Sequence, residues 1–390
     1  MREATSAAPL ERGPGCLAGH WRVVITSPGA AGSELMSLLA RVIRAPAREL
    51  AALLYRAPSI LAVNLSRADA EQMCDLLRSA GLETAVQGGD EAFQPGSDDH
   101  EVAIVVDDVA KMTAVLEQII SVLGVDLATA RRLACATPAV LLANVSLATV
   151  EALRRRFQPL GVELDACRPA QGRFDIYVGR CHELARQAVL RVAEQTGIAV
   201  PNPVSKRPGP AASGYTLLAE NVEWRRAEAF WEGTRRCSAP VRALNRAYQR
   251  FDVCLEAAPA QAPMLDFVAR LIGAPAPVAA RLIAQLPVCI RRNLRRAEMQ
   301  ALLEQIAALG GRASATLVAL EEYSVELGKK GEPVAVARVL QYAGGLSADA
   351  AQKATRARAS WSGGPYTNVQ ARWLRAELQR AGTEARILLR

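Results

Sequence analysis

The feature that most constrains this chain is a helical stripe that recurs five times at a nearly constant interval. Counting back from the residue that ends one helix in each copy, positions eleven and eight back hold Ala70 and Met73, Val150 and Leu153, Ala227 and Phe230, Met299 and Leu302, and Ala371 and Leu374. Position four back holds Leu77, Phe157, Thr234, Ile306 and Leu378. Residues three, four and seven apart share one helix face, so each set reads as a buried stripe. Thr234 alone breaks the apolar rule. Upstream of each stripe a strand starts near residues 22, 102, 174, 251 and 323, at intervals of 80, 72, 77 and 72. Self-similarity at such a period means a tandem array of small domains.

The fourth copy is the clearest. Phe251, Val253 and Leu255 alternate with more polar residues, the period of a strand with one buried face. Phe267, Leu271 and Ile272 then recur at helical spacing until Gly273, a C-terminal stop. A second helix starts near Pro277 and ends before Pro287. Val288 to Ile290 is a short strand. Arg295 to Leu309 is a third helix, halted by Gly310 and Gly311, and Arg312 to Leu317 closes as a strand. The order is β-α-α-β-α-β.

This order and these stops resemble the C-terminal domain of the bacterial ribosomal stalk protein. The residues that carry the resemblance are the Phe251-Asp-Val start, Gly273 before helix two, Ala279 eight residues before Pro287, and the apolar helix ending in Gly310. The Clp protease adaptor shares the fold family. The resemblance implies a non-enzymatic domain that binds proteins; in the stalk family helix two and its neighbouring helix bind translation GTPases through basic and apolar residues. Arg131 takes the place of that family's Lys after Ala130, and Ala280 takes it in the fourth copy.

Read the same way, module one runs over 21–88, with strand Arg22 to Thr26, helices Leu35 to Ile43 and Pro46 to Arg56, strand Ile60 to Val63, a helix capped by Ser66 and stopped at Gly81, and strand Glu83 to Val86. Module two, 100–168, has Gly124, Leu127, Ala130 and Pro138 at stalk-like spacing. Module three, 172–248, is degenerate. Its first helix stops at Gly197, and Val200 to Ser213, with four Pro and one Gly, reads as an irregular loop in place of helix two. Modules four and five occupy 250–318 and 321–390. In module five Ser362 to Pro365 reads as a turn before helix Asn368 to Ala381. Residues 1–20 read as a disordered tail. The expected fold class is therefore α+β: five tandem βααβαβ modules, each a three-stranded antiparallel sheet covered by helices on one face.

Function is less legible. No run of 18 apolar residues occurs, so no membrane insertion is expected. Without a signal peptide in Leu10 to Gly19, the expected location is cytoplasmic. The eight cysteines form no Cys-x-x-Cys pair, and most sit at apolar positions as small hydrophobes. No metal or cofactor site is expected. His182 follows Cys181, but successive helix residues point apart, so the pair reads as a helix start and not a dyad. Gly13 to Gly19 lacks a preceding strand, Gly328 to Gly331 lacks the Walker spacing, and Asp107-Asp108 is an acidic turn. No catalytic residue is assigned.

The formal net charge is +8, and only five of 47 basic residues are Lys. Basic clusters are the remaining candidates for partner binding: Arg131 and Arg132 on helix two of module two, and Arg281, Arg291, Arg292, Arg295 and Arg296 around helices two and three of module four. Arg154 to Arg156 lie on helix three of module two. Trp224, Phe230 and Trp231 near Arg225 and Arg226 offer the best aromatic-basic site, but Phe230 and Trp231 fall on the core stripe and read as packing. Acidic neighbours, Glu151 near Arg154 and Glu298 near Arg295, weaken any field toward phosphates. The expected function is a multi-module protein-interaction scaffold. The alternative is a ribosome- or nucleic-acid-associated protein using the Arg-rich helix faces.

Overall fold

The computed structural model describes residues 20–200, 214–328, 330–357 and 361–390. The expected tail (1–20) lies outside these residues except for His20, and the expected loop over Val200 to Ser213 except for Val200. Among the described residues the chain is α+β, with five separate three-stranded antiparallel sheets and helices between the strands. It divides into two compact units, one ending at Pro169 and the other running from Ala170 to Arg390.

The first unit holds two modules. Module one is β1 Trp21–Ser27, α1 Ser33–Ile43, α2 Ala47–Tyr55, β2 Ser59–Leu65, α3 Arg67–Ser79 and β3 Glu83–Gly88. Module two is β4 His100–Val105, α4 Met112–Leu123, α5 Leu127–Cys135, β5 Ala139–Val145, α6 Leu147–Phe157 and β6 Glu163–Cys167. The sheet orders are β2-β1-β3 and β5-β4-β6, so the first strand of each module is central and antiparallel to both neighbours.

The second unit repeats the plan. Module three is β7 Arg173–Gly179, α7 Glu183–Gln195, β8 Tyr215–Glu223, α8 Trp224–Thr234 and β9 Val241–Asn245. Module four is β10 Phe251–Ala257, α9 Ala262–Ile272, α10 Ala276–Ile283, β11 Val288–Leu294, α11 Arg296–Ala308 and β12 Arg312–Leu317. Module five is β13 Tyr323–Leu327, α12 Pro333–Tyr342, α13 Ala348–Ala357, β14 Ser362–Tyr366, α14 Asn368–Arg380 and β15 Ala385–Leu389. Again the first strand is central in each sheet.

The core follows from the two periods. On the central strands Val23 and Ile25, Val102 and Ile104, Ile176 and Val178, Val253 and Leu255, and Val325 and Leu327 are all buried, as an alternating face laid against helices requires. On the third helices the recurring stripe is buried at every position but Met73, which is partly covered. Thr234 fits because its hydroxyl donates to the Phe230 carbonyl at 2.9 Å, so no polar group is left unpaired. Module four's core is continuous with module three through Tyr177 and Leu244.

Two sequence expectations need correction. Ser362 to Pro365 is not a turn but most of β14, which pairs with β13 alone. An edge strand tolerates a Pro that cannot donate to the ladder. Trp231 does not belong to the core stripe: Phe230 is fully buried, but Trp231 is 41% exposed.

A further shared device was not foreseen. Near the end of the second strand in four modules an asparagine takes the left-handed backbone conformation: Asn64, Asn144, Asn221 and Asn293, with φ between 52° and 60°. Asn visits that region at low cost because its short side chain bonds locally. In each case the pairing with the central strand shifts register there, a local irregularity of the kind that bends a strand.

Candidate partner-binding surface

The seven candidate arginines sit on three kinds of support. On α5 of module two, Ala130, Ala134 and Cys135 face inward, which leaves Arg131 half-buried and Arg132 exposed. Asp126 caps this helix, accepting from Thr129 N at 2.7 Å. The Thr129 N–H, then the Thr129 hydroxyl and Arg132, holds the Asp126 carboxyl below its usual value. Arg132 Nη2 donates to Thr129 Oγ1 at 3.2 Å. A fixed negative charge thus stands at the start of the helix that carries the two cations.

In module four, Ala279 and Ile283 fix α10 on the core and Arg281 is exposed. Arg291 and Arg292 lie on β11, where only Ile290 is buried, and both are exposed. Arg295 caps α11 through its backbone. Its N–H donates to Glu298 Oε2 at 2.8 Å, while its side chain is exposed.

Arg296 is placed differently. Its guanidinium donates to the Asp175 carboxylate and to Gln249 Oε1, and it lies over the Phe251 ring at 5.4 Å. Arg246 Nε donates to the other Asp175 oxygen at 2.6 Å, and Gln249 Nε2 to Asp175 at 3.0 Å. Asp175 is 1% exposed. The group therefore ties module three to module four, and Arg296 is engaged internally.

The Arg154 to Arg156 cluster also divides. Arg156 Nη1 donates to the Ala31 carbonyl at 2.5 Å and Nη2 to Ser121 Oγ at 3.3 Å, bridging modules one and two. With its amide oxygen turned toward the guanidinium, Gln118 accepts from Arg156 Nε at 2.7 Å. Burial pulls the Arg156 pKa down, opposed by Tyr55. Arg155 pairs with Glu83 at 2.8 Å across the same junction. Tyr55 completes it: its hydroxyl donates to Val122 O at 2.9 Å, and its carbonyl accepts from Ser146 N at 2.8 Å and Thr149 Oγ1 at 2.9 Å.

The groups considered for chemistry have structural partners. His182 caps α7, its Nδ1 accepting from Ala185 N at 3.2 Å. Asp108 accepts from Ala110 N at 3.0 Å in the acidic turn. Gly328 N donates to Glu384 O at 2.7 Å, extending the β13 and β15 pairing; Lys329 of the same run lies outside the described residues. Among the described residues no group of three or more His, Cys, Asp or Glu could hold a metal ion. No single helix among them is long and apolar enough to cross a membrane.

One pairing escaped the sequence reading. Cys254 of β10 and Cys289 of β11 are direct cross-strand partners. In sequence each reads as a small apolar residue, and only the register brings them together. In comparisons with family models, curated proteins and solved structures, none matches this chain.

Proposed function

We propose that this chain is a non-enzymatic interaction scaffold whose modules present basic helix and strand faces to a protein partner with an acidic surface. The observation that carries the reading is the split among the arginines. Arg132 on α5, and Arg281, Arg291, Arg292 and Arg295 in module four, are exposed on elements whose opposite faces are locked into a core. Rigid backing lowers the ordering cost of binding. Repetition of the module raises avidity for a large or repeated partner. The resemblance to the ribosomal stalk domain points the same way, since that domain works by binding proteins.

The test is capture from lysate on tagged full-length protein, with and without nuclease, followed by affinity measurement on the partner recovered. Binding should survive nuclease. Arg131→Glu with Arg132→Glu, or Arg291→Glu with Arg295→Glu, should weaken it about tenfold, as reversed charges at an interface do. Loss of capture on nuclease treatment, together with duplex DNA binding below about micromolar and a steep salt dependence, would replace this reading with nucleic-acid association.

A further inference from the structure

We propose that Cys254 and Cys289 form a redox-active dithiol in module four, which small-molecule disulfides convert to a cross-strand disulfide. The two residues stand directly opposite each other on antiparallel β10 and β11. Residues so paired have Cα atoms about 4.5 or 5.5 Å apart and side chains on the same face. Both values fall inside the range of about 4.4–6.8 Å that a disulfide spans.

The thiols are also reachable. On β10 the inward residues Val253 and Leu255 are fully buried, whereas Cys254 lies on the other face and is only partly covered, as is Cys289. The two thiols are close enough to share a hydrogen bond, and Cys289 Sγ also donates to the Arg291 carbonyl at 3.4 Å. The Cys254 thiol and the Arg292 guanidinium both favour the ionised form of Cys289, and its pKa is lowered; the hydrogen bond and burial push Cys254 up. The thiolate is the reacting form, and a neighbouring cation favours it. Cys289 is thus the attacking sulfur and Cys254 the resolving one. Of the other described thiols, Cys167, Cys181 and Cys237 are partly covered like this pair, and the two remaining ones are shielded. Cys74 is fully buried, and burial pushes Cys135 up to about 12.

The chemistry balances with a low-molecular-weight disulfide as oxidant. The Cys289 thiolate attacks one sulfur of the reagent, whose S–S bond breaks to release one thiolate. Cys254 then gives up its proton and attacks Cys289 Sγ, and the second reagent thiolate leaves. Two electrons pass from the protein pair to the reagent, which takes up two protons as two thiols.

The experiment uses reduced full-length protein and oxidised glutathione, quenched by alkylation in denaturant and mapped by peptide mass spectrometry. The expected product joins the Cys254 peptide to the Cys289 peptide, with Cys74 and Cys135 recovered as alkylated thiols. Cys254→Ser should stop at a glutathione adduct on Cys289. Cys289→Ser should slow reaction at Cys254 by about tenfold or more. Wild-type protein that stays unlinked, holds glutathione stably on Cys289, or cross-links elsewhere in place of this pair overturns the proposal. So does Cys289→Ser protein that reacts at Cys254 as fast as wild type reacts at Cys289. The wild-type cross-link decides the matter even if a variant fails to fold.

Discussion

Asp175 and Asp252 occupy the same register on the central strands of modules three and four, and each accepts a hydrogen bond from the backbone N–H of a left-handed asparagine on the adjoining strand. The distances are 3.0 Å from Asn221 to Asp175 and 3.0 Å from Asn293 to Asp252. The repeat thus pins a left-handed strand end with one carboxylate in two successive modules. The surroundings differ. Asp175 meets Arg246, Arg296 and Gln249, while Asp252 is buried with Glu321 nearby and is only partly offset by Arg292 and Arg372.

Asp175→Asn should therefore be costly. The amide keeps an acceptor for the Asn221 N–H but carries no charge for Arg246 and Arg296. Breaking a buried pair by removing one member costs about 3–5 kcal/mol. Both arginines keep roughly a quarter of their side-chain surface in water, so the lower end is expected. Urea unfolding of wild type, Asp175→Asn, Arg296→Gln and the double variant checks this. A coupling below about 0.5 kcal/mol would show that the two side chains act independently.

Asp252→Asn should behave in the opposite sense. Burial raises the Asp252 carboxyl pKa above its usual 3.8, ahead of the Asn293 N–H that lowers it. The folded state then holds this proton more tightly than the unfolded chain. The cost of its charge is fully present above the raised value and disappears as pH falls to about 3.8. At neutral pH the amide variant should match or exceed wild type in melting temperature. At pH 4 that advantage should shrink. An Asp252→Asn protein that melts well below wild type at pH 7 would mean that the charge is stabilising.

Much of this architecture was readable because two periods and a few stops dictate it. Helix stripes of period 3.6, alternating first strands, and glycines such as Gly273 and Gly310, both with positive φ, locate the elements of each module. What escaped was set by pairing and not by local preference. β14 carries Ser362, Gly363, Gly364 and Pro365, poor strand formers held in place by hydrogen bonds to β13. Arg156 and Arg296 read as members of basic clusters and not as junction residues, because periodicity tells which side of a helix meets its own sheet, not which end meets the next module. The Cys254–Cys289 pairing needs the register of two strands separated by two helices.

Phe157→Ala should destabilise the first unit by about 3–5 kcal/mol, the usual cost of removing a large buried ring. Phe157 is 0% exposed and ends α6 at the stripe position shared with Leu77, Ile306 and Leu378. A loss under about 1 kcal/mol in chemical denaturation would show that the site collapses without leaving a cavity.

Arg156→Lys should fail to replace Arg156, because the site uses the shape of the guanidinium as well as its charge. Nη1 reaches the Ala31 carbonyl of module one, Nη2 reaches Ser121 Oγ at the end of α4, and Nε reaches Gln118 in the preceding turn. A lysine brings one compact ammonium and cannot span three acceptors fixed by two modules. The carbonyl of Ala31 would then lose its partner in a half-buried junction, at a cost of about 1–3 kcal/mol. The junction packs α1 against α4 closely: a Cβ on Gly32 would stand 2.8 Å from the Ser121 carbonyl oxygen. Opening should therefore be local before it is global. Hydrogen exchange on the full chain should show faster exchange in peptides covering 30–40, Tyr55 and the end of α4, with peptides from β10 and α11 unchanged. Equal protection in Arg156→Lys and wild type would show that the two modules hold together without this contact.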